Sequence, residues 1–259
     1  MDLIIGQLLG FAMVLTRVSA FFLVLPVFGW QSIPVQVKAA ITILVALFFS
    51  LTAPFAVGLP AAAGLGSGRD VSVLEAILLL SNEAIYGLSM GLIAASVFSA
   101  VKVCGQIAEQ QMGLSMAEIL DPLTGEMGQP LAMLMEMIFI ILFLSANGHH
   151  LFLLTICRSY EAFPAGTIPT LPIMIGGIVQ AGSTLLIAGL RLAAPMLAAF
   201  LLLMVVLGVI ARIAPETEIL FISLPLQVGL GLMLAAMFIP FVNGFVAEFA
   251  DWMGKLLPL

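Results

Sequence analysis

Between Ile173 and Ala211 the chain carries a single charged residue, Arg191. A stretch of roughly 20 mostly apolar residues already spans the hydrocarbon core of a bilayer, and this one is longer. Five more apolar segments share its character: Leu3 to Phe28, Val35 to Val57, Val71 to Val103, Leu131 to Ile156 and Ile219 to Phe241. Of the 259 residues 63% are hydrophobic and 8% charged, with a mean hydropathy of +1.25. A soluble domain carries about 25% charged residues. No soluble fold of this size hides so much apolar surface, so the chain is expected to be an integral membrane protein. Backbone polar groups in hydrocarbon must be satisfied internally, and segments of this length do so as helices. The expected fold class is an all-α membrane protein of six apolar helical segments, forming one domain over 1–259 without a polar linker.

Several features set these segments apart from plain lipid-facing helices. Pro26, Pro195, Pro225 and Pro240 lie within or at the ends of segments. Each removes a backbone donor and kinks or interrupts a helix. The fifth segment is too long for one straight span and is expected to be interrupted at Pro195; splitting it in two is the alternative. Arg17, Glu75, Glu83, Glu136 and Arg191 sit inside apolar runs and should face protein or water. Glu83, Gly87, Gly91 and Ala95 recur at four-residue spacing on one helical face. Small residues at that spacing admit a second helix closely. Glu83 is then either a polar anchor in a helix contact or a carboxylate reaching for water near a segment end. With six crossings, Arg69, Arg158 and Lys255 fall on one side and Lys38, Lys102 and Arg212 on the other. That tie leaves orientation open. Arg17 in the first segment, with no basic stretch before it and no cleavage site, reads as a retained helix rather than a signal peptide.

The longest break between apolar segments is CGQIAEQQMGLSMAEILDPLTGEMGQP, Cys104 to Pro130. It carries Glu109, Glu118, Asp121 and Glu126, no base, and Met112, Met116 and Met127. A helix connector needs only a few residues, so this stretch is expected to be a functional loop or a re-entrant piece, with a surface connector as the alternative. No site for chemistry can be assembled. His149 and His150 are adjacent, and neighbours on a helix point about 100° apart, which suits no shared metal. There is no HExxH, no CxxC and no glycine-rich phosphate loop. Cys104 and Cys157 read as buried thiols, with pairing left open. The net charge of −6 gives no basic patch for nucleic acid. No enzyme activity, cofactor or metal is expected. A small secondary transporter, built on Pro195 and Arg191 at mid-depth, is the rival class.

Five stretches together resemble the FliR family of flagellar export-gate subunits: RVSAFFLVLPVFGWQSIPVQVK (Arg17 to Lys38), SNEAIYGLSMG (Ser81 to Gly91), EQQMGLSMAEILDP (Glu109 to Pro122), FLSANGHH (Phe143 to His150) and RLAAPMLAAFLLLMVVLGVIARIAPE (Arg191 to Glu216). They come in the family's order over nearly the whole chain. Asn82 stands where the family commonly has glycine, and Glu216 where it often has glutamine. The resemblance implies kinked or broken hairpins packed in a helical assembly with FliP and FliQ homologues, with FlhB and FlhA homologues alongside. Residues 1–160 would be FliP-like and 170–259 FliQ-like. Unfolded flagellar subunits would pass through the shared pore, at the flagellar basal body in the bacterial inner membrane. Related virulence type III secretion is the alternative use. The loop after the third segment would plug the closed pore through Gln110, Gln111, Met112, Gly113, Leu114, Ser115, Met116, Asp121 and Pro122. Arg17, Glu83, Gly87, Gly91, Pro195 and Arg212 are expected in helix packing and assembly.

Overall fold

A computed structural model of the chain describes residues 2–26, 34–52, 73–114, 129–165, 171–214, 221–237 and 244. The regular elements among them are all helices: α1 (Asp2–Val24), α2 (Val35–Thr52), α3 (Val73–Met112), α4 (Pro130–Ser145), α5 (Gly148–Ala162), α6 (Leu171–Ile213) and α7 (Phe221–Met237). By length and composition α3 and α6 can each cross a membrane, and α4 with α5 makes a third span if the broken pair counts as one. Leu8–Val24, Val35–Leu51 and Phe221–Met237 are shorter apolar stretches.

Local rules account for the helix ends. α1 stops just ahead of Pro26, because the residue before a proline avoids the helical region. Pro34 opens α2, its carbonyl accepting from the amides of Val37 and Lys38 at 3.0 and 3.3 Å. Pro130 starts α4, where its fixed φ fits the helix and its missing N–H is not needed. Between α4 and α5 the chain passes through Asn147 at φ +60°, the left-handed region that asparagine tolerates better than most residues.

Three expectations change. The third apolar segment does not end at Val103: α3 continues through CGQIAEQQM to Met112. Its good helix formers carry it on, so the break before α4 is shorter than the stretch from Cys104 to Pro130. The fourth segment is not one helix but two, parted at Ala146 and Asn147. The second of them runs on past Ile156, where the fourth segment was expected to end, to Ala162. The fifth segment is not interrupted: α6 is a single helix with Pro195 inside it. One lost backbone bond is a small fraction of a helix this long, and packing retains it. Pro240 lies outside the described residues.

The helices are divided between two compact units. The first holds residues 1–96, 147–182 and 250–259. Within it α1 packs along α2, and α1 buries Met13, Val14, Arg17, Val18 and Phe21 at helical spacing. Phe21 meets Phe152 of α5 edge-on, with ring centres 6.0 Å apart. The second unit holds residues 97–146 and 183–249. There Phe98 of α3 sits edge-on to Phe139 and Phe143 of α4, each with ring centres 5.3 Å away. Such buried aromatic pairs stabilise by about 1 kcal/mol each beyond their area.

Candidate functional site

The first unit is organised on a buried charge. Arg17 and Glu83 are both fully buried, and the Arg17 Nε donates to Glu83 Oε2 at 2.5 Å. Arg17 Nη1 donates to the Phe163 carbonyl at 3.1 Å, and to the Ser159 carbonyl and Oγ at 3.4 Å. These carbonyls close the C-terminal end of α5, where a cation complements the helix dipole. The guanidinium carbon lies 4.1 Å from the Tyr160 ring centre and 5.0 Å from that of Tyr86, within cation–π reach of both. One side chain thus ties α1, α3 and α5. A permanently charged guanidinium held by a carboxylate, two carbonyl groups and two rings neither attacks nor transfers a proton. It joins helices.

Two glycines let α3 come this close. A Cβ on Gly87 would overlap the Arg17 carbonyl oxygen and lie 2.7 Å from the Ala20 Cβ; one on Gly91 would lie 2.8 Å from the Phe21 carbonyl oxygen. The four-residue stripe of small residues therefore faces the backbone of α1. Glu83, on the same face, turns to Arg17 and not to water. The sequence marked both charges but not their pairing, nor the parts of Tyr86, Ser159, Tyr160 and Phe163. The signal was there: isolated opposite charges in apolar runs need each other.

The second unit builds the stem of the central loop. Gln110, Gln111 and Met112 are the last residues of α3, not loop. Gly113 then adopts φ +73°. Its amide donates to the Gln110 carbonyl at 3.2 Å, and the Leu114 amide to the Glu109 carbonyl at 3.3 Å. This pair of bonds around a left-handed glycine is the Schellman motif, which closes a helix C-terminus. One turn earlier, the buried Glu109 accepts from the Leu131 amide at 2.5 Å. Its carboxylate therefore sits on the N-terminal end of α4, where negative charge is favoured. Gln106 donates to the Gln129 side chain at 2.6 Å, and Met112, fully buried, packs on Gly231 of α7. The two ends of the loop are thereby held side by side. Lys102 and Glu136 pair at 3.6 Å, partly exposed, and contribute little. Ser115, Met116, Asp121 and Pro122 lie outside the described residues, with Glu118, Glu126 and Met127. Pro195 and Arg212 are both exposed on α6.

A sequence model described as bacterial export proteins, family 1, matches residues 8–252. The chain is 30% identical to the flagellar biosynthetic protein FliR of Escherichia coli K12 over 233 residues, covering 89% of this chain and 84% of that one. It is 28% identical to FliR of Caulobacter vibrioides, covering 96% and 94%. It is also 28% identical to the Yop proteins translocation protein T of Yersinia pestis, covering 92% and 88%.

Proposed function

The chain belongs to the bacterial export proteins, family 1, and from that premise we propose that it is a core subunit of the flagellar type III protein export gate. In this reading it forms a pore with FliP and FliQ homologues in the bacterial inner membrane at the flagellar basal body. FlhB and FlhA homologues adjoin it, and unfolded flagellar subunits pass through. Residues 1–160 serve as the FliP-like part and 170–259 as the FliQ-like part. No catalysis is asked of this chain. The flagellar biosynthetic names of the Escherichia and Caulobacter relatives support the flagellar use. The Yersinia relative supports a second reading, the same part played in virulence secretion.

The observation that carries the assembly is helix length. At 1.5 Å per residue the 40 residues of α3 and 43 of α6 run to about 60 and 64 Å, against about 30 Å of hydrocarbon. Tilting by about 40°, the steep end of the observed range, still leaves α6 about 49 Å tall. Large apolar side chains are exposed along α6 from Ile175 to Ile213. A bilayer covers only part of that length, so other protein must cover the rest. Expressed alone, the chain is expected to be degraded or to aggregate. Co-expression with FliP and FliQ homologues should give a complex that survives mild detergent. A homogeneous, protease-resistant monomer would sink this reading.

The loop after α3 is the pore plug in this proposal. Support comes from its stem: the Schellman turn at Gly113 and the Glu109–Leu131 bond hold the two ends together. Deleting residues 116–126 and bridging the stem with a short Gly/Ser linker should leave the complex assembled. Ion leak across vesicles carrying it should rise about tenfold or more, since a constriction is lost. Normal assembly with unchanged leak and secretion would make the segment a plain connector.

A further inference from the structure

Arg191 lies on the exposed side of α6, among Leu190, Ala194, Pro195, Ala198 and Leu201, which are exposed with it. These positions recur at three- and four-residue spacing and form one stripe. The opposite side of α6 is buried through Ala193, Met196 and Phe200. Three properties of the stripe coincide. It carries a guanidinium with no ion-pair partner among the described residues. Pro195 has no N–H to give the Arg191 carbonyl, so an acceptor on the same side lacks its helical donor. Ala194 and Ala198 leave a shallow notch at four-residue spacing, flanked by Leu190 and Leu201, where a second helix can lie close.

We propose that this stripe is a docking face for an apolar helix of a partner subunit that presents an aspartate or glutamate to Arg191. The inference rests on the reading of the chain as part of a larger helical assembly. Charge and length together select the occupant. Arg191 stands about 30 Å from Leu171 and about 33 Å from Ile213 along the axis. Placed deep in hydrocarbon, it needs a carboxylate. Placed at the level of lipid phosphates, it would leave one apolar arm of the stripe uncovered, either Ile187 and Leu190 or Leu201 and Leu202, all more than half exposed. An apolar helix carrying one carboxylate covers both arms and pairs with the planar guanidinium through two parallel hydrogen bonds. A hydroxyl or amide on the same helix would satisfy the freed carbonyl.

The test uses the complex co-expressed with its partner subunits. With p-benzoylphenylalanine at Leu190, irradiation in native membranes should yield an adduct to an apolar helical peptide bearing Asp or Glu within one turn of the attachment point. Arg191→Glu and Arg191→Leu should each lower recovery of the intact complex about tenfold or more, as breaking a desolvated pair does. Arg191→Lys should retain most of it. Reversing the identified acid to lysine should restore recovery to Arg191→Glu. The leucine variant guards against misfolding, because an apolar residue on an apolar exposed stripe leaves the isolated fold alone. Adducts to phospholipid only, or full recovery with both Arg191→Glu and Arg191→Leu, would overturn the proposal. If the wild-type chain recovers no partner at all, the assembly reading itself has failed, and that outcome shows in the wild-type lane alone.

Discussion

Glu83→Leu is expected to leave a chain that no longer accumulates. The substitution keeps Arg17 charged and fully buried, with its Nε facing a methyl group instead of a carboxylate. Removing one partner of a buried pair costs about 3–5 kcal/mol, because the other charge stays uncompensated. A folded domain has only about 5–15 kcal/mol to lose. Arg17→Leu should be the milder single change. A stranded carboxyl group can shed its charge by taking a proton, whereas a guanidinium cannot. The double variant Arg17→Leu/Glu83→Leu should recover part of the loss, since no charge is left inside. It should still fall short of the native chain, because Arg17 also closes the end of α5 and lies against Tyr86 and Tyr160. Immunoblots of membrane fractions, with protease resistance in mild detergent, rank the variants. Equal accumulation of all three with the native chain would mean the pair contributes nothing.

The same pair shows what the sequence carried and what it left out. Membrane class and helical fold follow from composition and segment length, because both are properties of the bilayer as a solvent. Gly87 and Gly91 were legible as a contact face because steric access depends on spacing along a single helix. Which helix fills that face is a matter of tertiary pairing. Nothing local to Glu83 names Arg17, 66 positions earlier. The helix ends went wrong where polar residues continued a helix. CGQIAEQQM reads as a break by hydropathy, yet it is good helix sequence, and the true stop is Gly113 at φ +73°. Asn147 was the opposite error. An apolar run on both sides hid a turn that one left-handed residue makes. Pro195 showed that a proline's local penalty does not decide a helix that packing supports on both sides of it.

Gly87 is where the smallest chemical change should have the largest steric effect. A single methyl group there meets the Arg17 carbonyl oxygen, which is backbone and cannot rotate away, and the Ala20 Cβ at 2.7 Å. Either α1 or α3 must shift, and the shift acts on the Arg17–Glu83 bond between the same two helices. Alanine is intrinsically better than glycine in a helix by about 1 kcal/mol. Any observed loss is therefore the steric term net of that gain, which sharpens the sign. Overpacking of this kind costs about 1–3 kcal/mol, or more where backbone is the obstacle. Gly87→Ala should thus lower the melting temperature of the solubilised complex, and Gly87→Leu should prevent its recovery. Gly91→Ala should be intermediate, since its methyl would lie 2.8 Å from the Phe21 carbonyl oxygen and 3.2 Å from the Val24 Cβ. Leu88→Ala is the control: Leu88, next to Gly87 in sequence, is 41% exposed on another side of α3, and the change should be close to neutral. The order Gly87, then Gly91, then Leu88 is the prediction. If Gly87→Leu gives as much intact complex as Leu88→Ala, α1 does not lie against α3 at this face in the assembled protein.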